Sequence, residues 1–405
     1  MTTSHPIGRS SGSPRRDQRN ETDVEVEPGL SHDQQMILES TTRFLEEHVP
    51  PATTKDWASE GLTHNSEYWR QAADMGFTSM LVPEIYGGVA VDEPVASLCI
   101  VSQAIGRLVA PGPLTACNLV ADAIVRWGSE AQKRAWLPGL TSGECVASWA
   151  VAETPDVWHP EGMSTTARIS GGDVLVSGTK IAVEAPDVAE VFLVTASGPS
   201  GPSQILVPSG SPGIVISAGR SLDLNRQLAD VTFSDVRVPT SAILGDVSRD
   251  GQSVDASKAV AHQLVLAACL LCGETAAMMD AVLTSTLEYM MDRFAFGRRI
   301  ASYQALKHRV ADHKVRVETA LALASALARA IDSADPRAEQ LSSIAKAHIG
   351  EQSVDVISDC SQLVGGISLT WEHDHHLFLR RATVNRVLYG SPSQHRERLC
   401  VMAGI

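Results

Sequence analysis

The order of helical and strand patterns along the chain constrains its fold more than any other feature of the sequence. Helical signals run from Ser31 to about Gly143, and short β-rich runs separated by glycine, proline and serine follow from Ala147 to about Gly245. Long helical stretches return after Val254. The chain has 405 residues, enough for two or three domains. We therefore predict an α+β multidomain protein with an N-terminal α-helical domain, a middle β domain and a C-terminal four-helix bundle.

The expected domain boundaries follow from these changes between helical and strand patterns. We place the α domain at residues 30–146, the β domain at 147–250 and the four-helix bundle at 251–405. Residues 1–29 are rich in serine, arginine and proline and contain no apolar segment. That composition predicts a disordered tail and not a secretory signal.

Individual helices can also be located. Ser31 and Gln34 have the spacing of a capping box, which predicts a helix that begins there. Apolar residues between Val260 and Val282 recur at helical spacing and predict one buried stripe on the first bundle helix. The other bundle helices are expected at roughly 303–333, 337–364 and 372–389.

Charge and composition exclude several classes of function. The chain carries 33 Lys and Arg against 47 Asp and Glu, a net charge of −14, which is unsuited to binding nucleic acid. No uninterrupted apolar run reaches the roughly 20 residues that span a bilayer. The seven cysteines are scattered and odd in number, which indicates a reducing compartment, and we expect a cytoplasmic protein.

Two short clusters have some of the ligands of a metal site. Cys269-x-x-Cys272 has no second pair nearby and lies in an apolar helical run, so we interpret it as core packing. His375 and His376 are adjacent and would point roughly 100° apart on a helix. We predict no metal site.

The strongest motif is the segment from Arg293 to Ile300, RFAFGRRI, followed by Gln304. A planar guanidinium suits a pyrophosphate because it donates paired hydrogen bonds. Phe296 offers a flat apolar face, and Gly297 lets the backbone turn close to a ligand. The pattern Arg-x-x-Phe-Gly, two residues, Ile and then Gln closely resembles the acyl-CoA dehydrogenase family.

The resemblance covers nearly the whole chain beyond the tail. Its members have the same α–β–α order, bind FAD at a dimer interface, usually assemble as tetramers and oxidise acyl-CoA thioesters to trans-2-enoyl-CoA. The resemblance therefore implies FAD, an acyl-CoA or related thioester as substrate, and an electron-transfer flavoprotein as acceptor. The other segments that match lie at residues 82–88, 128–144, 231–239 and 362–366.

The family's cofactor residues can be carried over where its motifs match. One group would hold the FAD pyrophosphate and adenosine from one subunit, and a second group would meet the same cofactor from the neighbouring subunit. The pair Gly365-Gly366 can serve as a helix C-cap at the same time. The first group is Arg293, Phe296 and Gln304, the second is Gln362 and Gly366, and Gln394 falls on a further cofactor-side position.

The usual catalytic carboxylate of the family is missing. The reaction needs a carboxylate beside the α-carbon of the thioester, with a pKa suited to proton abstraction. Many members supply it as Glu in Tyr-Glu-Gly-Thr, but this chain has Tyr-Gly-Ser-Pro, with Gly390 at the Glu position. Branched-chain members take the Glu from the first bundle helix, where this chain has Ala267. The Arg that many members direct at the substrate falls on Ala268.

Two other carboxyl groups are candidates for the base. Glu274 lies on the apolar stripe of the first bundle helix, where a buried Glu has a raised pKa unless it is paired with an Arg or a backbone donor. It lies two turns beyond Ala267, about 10 Å along the axis, which disfavours a simple replacement. Glu184 replaces the Thr of the family's Trp-x-Thr segment near the flavin, or else is an exposed loop residue.

Three functions stay open at this point. We expect a flavoprotein that dehydrogenates an acyl-CoA thioester between its α- and β-carbons. A second possibility is a non-catalytic subunit of a heterotetramer in which a Glu-bearing homologue supplies the base. The protein would then be part of a hetero-oligomer and not a homo-oligomer. A third is a flavin-dependent monooxygenase on the same fold, which needs no α-proton abstraction.

Overall fold

The computed structural model describes residues 29–154, 158, 162–198, 201–217, 219, 221–245 and 256–405, so the expected tail lies outside it except for Gly29. Helices make up the first part of the chain, as expected. They are α1 (His32–His48), α2 (Pro51–Glu60), α3 (Ser66–Asp74), α4 (Pro94–Leu108), α5 (Leu114–Trp127) and α6 (Glu130–Thr141).

The helix start predicted at Ser31 is confirmed. The Ser31 hydroxyl accepts a hydrogen bond from the Gln34 amide N–H, and the Gln34 side chain accepts one from the Ser31 N–H. Ser129 and Gln132 repeat this capping box at the start of α6. These reciprocal bonds satisfy N–H groups that would otherwise lack a partner in the first turn of the helix.

The middle of the chain forms one mixed sheet. Within the described residues the strands run in the order β1-β4-β2-β3-β7-β6, and β5 also pairs with β4. β4 is parallel to β1 and β2, and the remaining pairs are antiparallel. The strands are β1 (Ala147–Ala150), β2 (Thr166–Ser170), β3 (Asp173–Glu184), β4 (Val191–Gly198), β5 (Gly201–Pro208), β6 (Ile214–Ile216) and β7 (Leu228–Pro239).

The last part of the chain contains one helix more than the expected four. α11 lies beyond the last expected helix, which ended at about residue 389, and a short hairpin separates α7 from α8. The helices are α7 (Ser257–Asp292), α8 (Gln304–Asp332), α9 (Ala338–Val364), α10 (His375–Val387) and α11 (Pro392–Met402), and the hairpin strands are β8 (Phe294–Ala295) and β9 (Arg298–Arg299).

α7 is buried on all sides over most of its length, and not only along one stripe. By length and composition it could cross a membrane, but 89% of its most apolar window is buried inside the protein, as in the core helix of a globular fold. Cys269 and Cys272 are both buried in its core. The helix therefore joins the N-terminal helices and the bundle into one hydrophobic core, while the sheet has a second core of its own.

α4 and α7 approach each other closely because glycine lies at their contact. A Cβ atom on Gly106 would lie 2.1 Å from the carbonyl oxygen of Glu274, and one on Gly273 would lie 2.6 Å from Cys99 Sγ. The Ser102 hydroxyl donates to the Leu270 carbonyl oxygen across the same contact, at 2.7 Å. This contact fixes the part of α7 that carries Glu274.

Candidate functional site

The Arg-x-x-Phe-Gly motif forms a tight hairpin at the end of α7. Arg293 caps the helix, and β8 pairs with β9 across a two-residue turn made by Phe296 and Gly297. Both turn residues have positive φ, 52° and 80°, as a type I′ turn requires. A bulky residue is strained in this conformation. The turn holds the Phe296 ring away from the protein, and Phe296 is 95% exposed.

Positive charge and an aromatic ring surround this turn. Arg293, Arg298 and Arg299 are exposed, and the Arg298 guanidinium lies 3.8 Å from the centre of the Tyr303 ring. Gln304 begins α8 with its side chain exposed. Within the described residues, Arg293 forms no ion pair. Its guanidinium therefore needs no rearrangement to meet an anion.

The second predicted group lies at the adjacent end of α9. Arg309 of α8 donates to Asp359 of α9, with Nε 3.1 Å from Oδ2, and the short connection between these helices makes them antiparallel. The start of α8 and the end of α9 are therefore side by side. Gln362 is exposed there, and a Cβ atom on Gly365 or Gly366 would meet nothing within 4 Å. A ligand could approach the backbone at this point without a steric barrier.

Gln394 lies in the first turn of α11 and serves as a helix cap. Its side-chain oxygen accepts a hydrogen bond from the Ser391 N–H at 2.7 Å, and its own N–H donates to the Ser391 hydroxyl. A contact between its amide and a cofactor stays a prediction.

Gly390, at the position of the missing Glu, has no room for a side chain. It is buried with φ at 108°, and a Cβ atom would lie 2.7 Å from His395 Nε2. The His395 ring is held by the carbonyl oxygen of Tyr389 at 3.1 Å and by the Ser343 hydroxyl at 3.3 Å. The usual Glu therefore cannot be restored at this position unless His395 moves.

We expect Gly390→Ala to destabilise the protein by about 2–5 kcal/mol, because the new methyl group meets the His395 ring and the backbone is in a left-handed conformation. Gly171→Ala is the matched control. Gly171 also has positive φ, 67°, but a Cβ atom there would meet nothing within 4 Å, so about 1–2 kcal/mol is expected. Urea denaturation measures both, and equal shifts would show that His395 yields.

The two positions on α7 where the resemblance would place a base or a substrate-directed arginine also lack polar groups. Ala267 and Ala268 are 0% and 1% exposed, and their methyl groups are packed within the protein. The structure therefore provides no carboxylate or guanidinium at these positions.

Glu274 is buried, but it is fully paired. Its carboxylate accepts two hydrogen bonds from Arg226 Nη2 at 2.9 and 3.1 Å, one from Arg381 Nη1 at 3.1 Å and one from Asn385 Nδ2 at 3.1 Å. Burial alone would raise the pKa of Glu274, but the charges of Arg226 and Arg381 and these hydrogen bonds hold it below the ordinary value. This arrangement favours a structural Glu paired with arginine over a base.

Glu184 is the other candidate, and it is buried and not in an exposed loop. It ends β3, and its Oε1 lies 3.0 Å from Arg226 Nε without hydrogen-bond geometry. Burial raises the pKa of Glu184, and the nearby charge of Glu274 adds to that effect, while Arg226 opposes it. A raised pKa is what a carboxyl group needs to exchange protons near neutral pH.

The backbone on both sides of Glu184 is strained. Ala182 has φ at 51° and Ala185 has φ at 48°, a region that costs a residue with a Cβ about 1–2 kcal/mol. The β3–β7 pairing is irregular at the same place, between Lys180 and Val183. Strain of this kind persists where surrounding contacts hold it, and it is concentrated at functional sites.

An aromatic cluster covers the neighbouring turn at Tyr389. The Tyr389 ring stacks on Trp149 with 5.9 Å between ring centres and packs against Trp158 at 5.1 Å. Burial raises the pKa of Tyr389, and the charge of Glu184 raises it further. Glu184, Tyr389 and the two indoles therefore lie at one junction of the sheet and the bundle.

The sequence reading missed the cations of this junction. Arg226 precedes β7, and Arg381 lies on the buried face of α10. A signal was present: Arg381 and Asn385 are four residues apart and lie among apolar residues of one helix. Polar residues at such positions indicate a buried partner on a neighbouring element.

The loop after β1 is anchored by an ion pair. Lys180 Nζ is fully buried and lies 2.9 Å from Glu153 Oε1, and Ser164 and Thr165 also donate to this carboxylate. Burial would raise the pKa of Glu153, but the bonds from Thr165, Lys180 and Ser164 lower it to about 2. This carboxylate is therefore unsuited to proton abstraction.

The histidine cluster lies on the start of α10. His375 is buried with its Nε2 3.1 Å from the Ser285 hydroxyl, and Trp371 stacks on His376 with 5.0 Å between ring centres. Among the residues that the structure describes, no group of three or more His, Cys, Asp or Glu side chains is placed to hold a metal ion.

Family models match both helical parts of the chain. The model described as acyl-CoA dehydrogenase, N-terminal domain, matches residues 31–144, and the one described as acyl-CoA dehydrogenase, C-terminal domain, matches residues 258–400. Together they span more than half of the chain.

Individual proteins with similar sequences match over most of their length. Long-chain specific acyl-CoA dehydrogenase from Sus scrofa mitochondria is 27% identical over 93% of this chain and 88% of its own. Isovaleryl-CoA dehydrogenase from Pongo abelii mitochondria is 27% identical over 91% of this chain and 88% of its own. Glutaryl-CoA dehydrogenase from Mycobacterium smegmatis, solved in complex with FADH2, superposes with a TM-score of 0.84 at 22% identity, covering 93% of this chain and 96% of that one.

Proposed function

Because the chain belongs to the acyl-CoA dehydrogenase family, we propose that it is an FAD-dependent oxidoreductase that removes hydrogen from the α- and β-carbons of an acyl-CoA thioester. One observation carries this proposal. The hairpin of β8 and β9, with Arg293 directly before it, presents guanidinium groups and an exposed aromatic ring at the end of the bundle where Gln304 begins α8. These groups match the anionic and flat parts of a dinucleotide.

The residues present fit FAD. Arg293 would donate to the pyrophosphate, the Phe296 ring would cover the adenine, and Gln304 would supply an amide to the adenosine. Gln362 and the open backbone at Gly366 would contact the cofactor of a second subunit. The chemistry that FAD supplies when bound is acceptance of the hydride that leaves the β-carbon.

The remaining requirement is a group that takes the α-proton. Gly390 and Ala267 cannot serve, and Glu274 is held as a carboxylate by two arginines. Glu184 is the buried carboxyl group that combines a raised pKa with a strained backbone at the junction. We therefore propose Glu184 as the proton acceptor if the chain acts alone.

The proposal is tested by purifying the chain, recording its flavin spectrum and adding a panel of acyl-CoAs without oxygen. Bleaching of the flavin band by one or more thioesters is expected. A purified chain that lacks flavin and takes up none when FAD is added would contradict the proposal.

Arg293→Ala should weaken FAD binding roughly 10- to 100-fold, because it removes charge-assisted hydrogen bonds of about 1.5–3 kcal/mol each. Arg237→Ala is the control, since Arg237 is an exposed arginine on β7 that pairs with Asp173, outside the hairpin. Equilibrium dialysis of FAD measures both variants. Unchanged FAD binding by Arg293→Ala would refute the assignment of this guanidinium.

The His395 ring leaves no room for a Glu side chain at Gly390, and this favours a second candidate function. We propose as the alternative that the chain is one subunit of a heterotetramer in which a Glu-bearing homologue supplies the base. Flavin bleaching that occurs only after a Glu-bearing partner is mixed in would support this alternative. Gene neighbourhood and co-purification would identify that partner.

We also propose that the protein forms an oligomer in the cytoplasm and passes its electrons to an electron-transfer flavoprotein. Three large apolar side chains near the cofactor residues support assembly, since Phe296, Ile367 and Leu369 are 95%, 49% and 73% exposed in the single chain. All seven cysteines are free thiols, in keeping with a reducing compartment.

A further inference from the structure

Five buried ionisable side chains meet where the sheet, α7 and α10 come together. We call them the buried charge network, and the side chains of all five are 8% exposed or less. Glu184 comes from β3, Glu274 from α7 and Arg381 from α10. Asp223 and Arg226 come from the segment between β6 and β7. The five are Glu184, Asp223, Arg226, Glu274 and Arg381.

The network contains three carboxyl groups and two guanidinium groups. Burying a charge without a partner costs several kcal/mol, so a buried cluster tends towards neutrality. Arginine keeps its proton in proteins, so among these five side chains the surplus negative charge is removed by one proton on a carboxyl group.

The contacts distinguish the three carboxyl groups. Glu274 accepts four hydrogen bonds, three of them from arginine. Asp223 accepts two from Arg381, at 2.5 and 3.4 Å, and one from the Asn225 N–H at 3.0 Å. Glu184 has one arginine contact, 3.0 Å from Arg226 Nε, and that contact lacks hydrogen-bond geometry. The anion of Glu184 is thus the least stabilised of the three.

Arg226 connects the two glutamates. Its Nη2 donates to Glu274, its Nη1 donates to the Asn385 side-chain oxygen at 2.6 Å, and its Nε faces Glu184. With both terminal nitrogens engaged, the guanidinium cannot rotate towards Glu184 without losing bonds to Glu274 and Asn385. Its orientation decides which glutamate is stabilised as an anion.

We propose that Glu184 carries the single proton of the buried charge network and that Arg226 is the positioning residue that confines the proton there. The direction of the pKa shifts agrees with this choice, since the pKa of Glu184 is raised by burial, whereas that of Glu274 is lowered by its arginines despite burial. The role of Glu184 as base rests on the proposed function and requires that Glu184 first lose this proton, because only its anion can accept the α-proton. The assignment itself concerns the folded chain alone.

Two other titratable groups near Glu184 add no charge to the network. Burial raises the pKa of both Tyr389 and Cys117, so both are neutral near pH 7. Lys346 on α9 is a further buried cation, but it donates to the carbonyl oxygens of Asn385 and Leu388, at 2.7 Å each, and contacts no carboxyl group of the network.

Infrared spectroscopy tests the proposal directly, because a protonated carboxyl group has its own C=O stretching band, which shifts in D2O. At about pH 6, where ordinary glutamates are ionised, we expect this band in the wild-type protein and its loss in Glu184→Gln. Glu190→Gln, which changes an exposed carboxylate of the same domain, should leave the band unchanged. Comparing proteins of equal flavin content removes the contribution of flavin carbonyl groups.

Two further variants test the role of Arg226. Arg226→Gln removes one positive charge and should roughly double the intensity of the band, whereas Arg226→Lys keeps the charge and should leave one band. A band absent from the wild type, or retained in full by Glu184→Gln, would overturn the assignment of the proton. Unchanged intensity in folded Arg226→Gln would overturn the charge balance, and if that variant does not fold, Glu184→Gln still decides the assignment. None of these readings depends on activity, so they stand apart from the test with acyl-CoA.

Discussion

Replacing Arg381 with methionine is expected to destabilise the protein by about 3–5 kcal/mol, the usual effect of removing one partner from a buried ion pair. Arg381 is 1% exposed and donates to Asp223, Glu274 and the carbonyl oxygen of Ala110. The variant leaves two buried carboxylates with fewer partners, and methionine can replace only the apolar part of the side chain. The midpoint of urea denaturation measures the effect.

Arg380→Met is the matched control for this prediction. Arg380 is the neighbouring residue on α10, is half-buried and makes one long hydrogen bond, 3.4 Å, to the Leu222 carbonyl oxygen. An effect below about 1 kcal/mol is expected, because its charge reaches water. Similar shifts for Arg380→Met and Arg381→Met would mean that the buried charge network contributes little to the stability of the fold.

Glu184→Gln is expected to slow the bleaching of the flavin by an acyl-CoA about 10²- to 10⁴-fold, the range that a positioned general base contributes. The substitution preserves the shape of the side chain and removes its ability to accept a proton, so FAD content should stay unchanged. Stopped-flow absorbance under anaerobic conditions measures the rate.

Two control variants are needed to interpret the bleaching rate of Glu184→Gln. Glu190→Gln should bleach at the wild-type rate, and Glu274→Gln should lower stability, because Glu274 pairs with Arg226 and Arg381. Rapid bleaching by Glu184→Gln would exclude Glu184 as the base. Absence of bleaching in the wild-type chain, restored by a Glu-bearing partner, would assign the chain to the heterotetramer.

Local signals were sufficient for most of the fold. The change from helical to strand periodicity near Ala147 and back after Val254 predicted the order of α, β and α regions, because periodicity depends only on which face of an element is buried. The capping box at Ser31 is likewise a property of residues three apart. α11 begins with the same kind of capping box, formed by Ser391 and Gln394, but the sequence analysis predicted no helix after residue 389.

The sequence predicted the hairpin of the site but not the roles of its buried glutamates, for the same physical reason. The hairpin of Phe296 and Gly297 is contiguous in sequence, and its residue types alone indicate an anion-binding surface. Glu184 and Glu274, in contrast, were both candidates for the base, and nothing adjacent to either in the sequence shows which of them is paired. Their difference arises from Arg226 and Arg381, which are distant along the chain, and such a charge environment cannot be obtained from periodicity or spacing.

By itself, the sequence determined the three-part architecture, the resemblance to a flavoprotein family and the absence of a carboxylate at positions 390 and 267, because each depends on residue identity or local spacing. The tertiary structure decided the rest. It filled the space beside Gly390 with the His395 ring, and it paired Glu274 with two guanidinium groups while leaving Glu184 with a single contact. Desolvation and charge pairing act through space between elements far apart in the chain, so only the folded arrangement sets which carboxyl group can hold a proton.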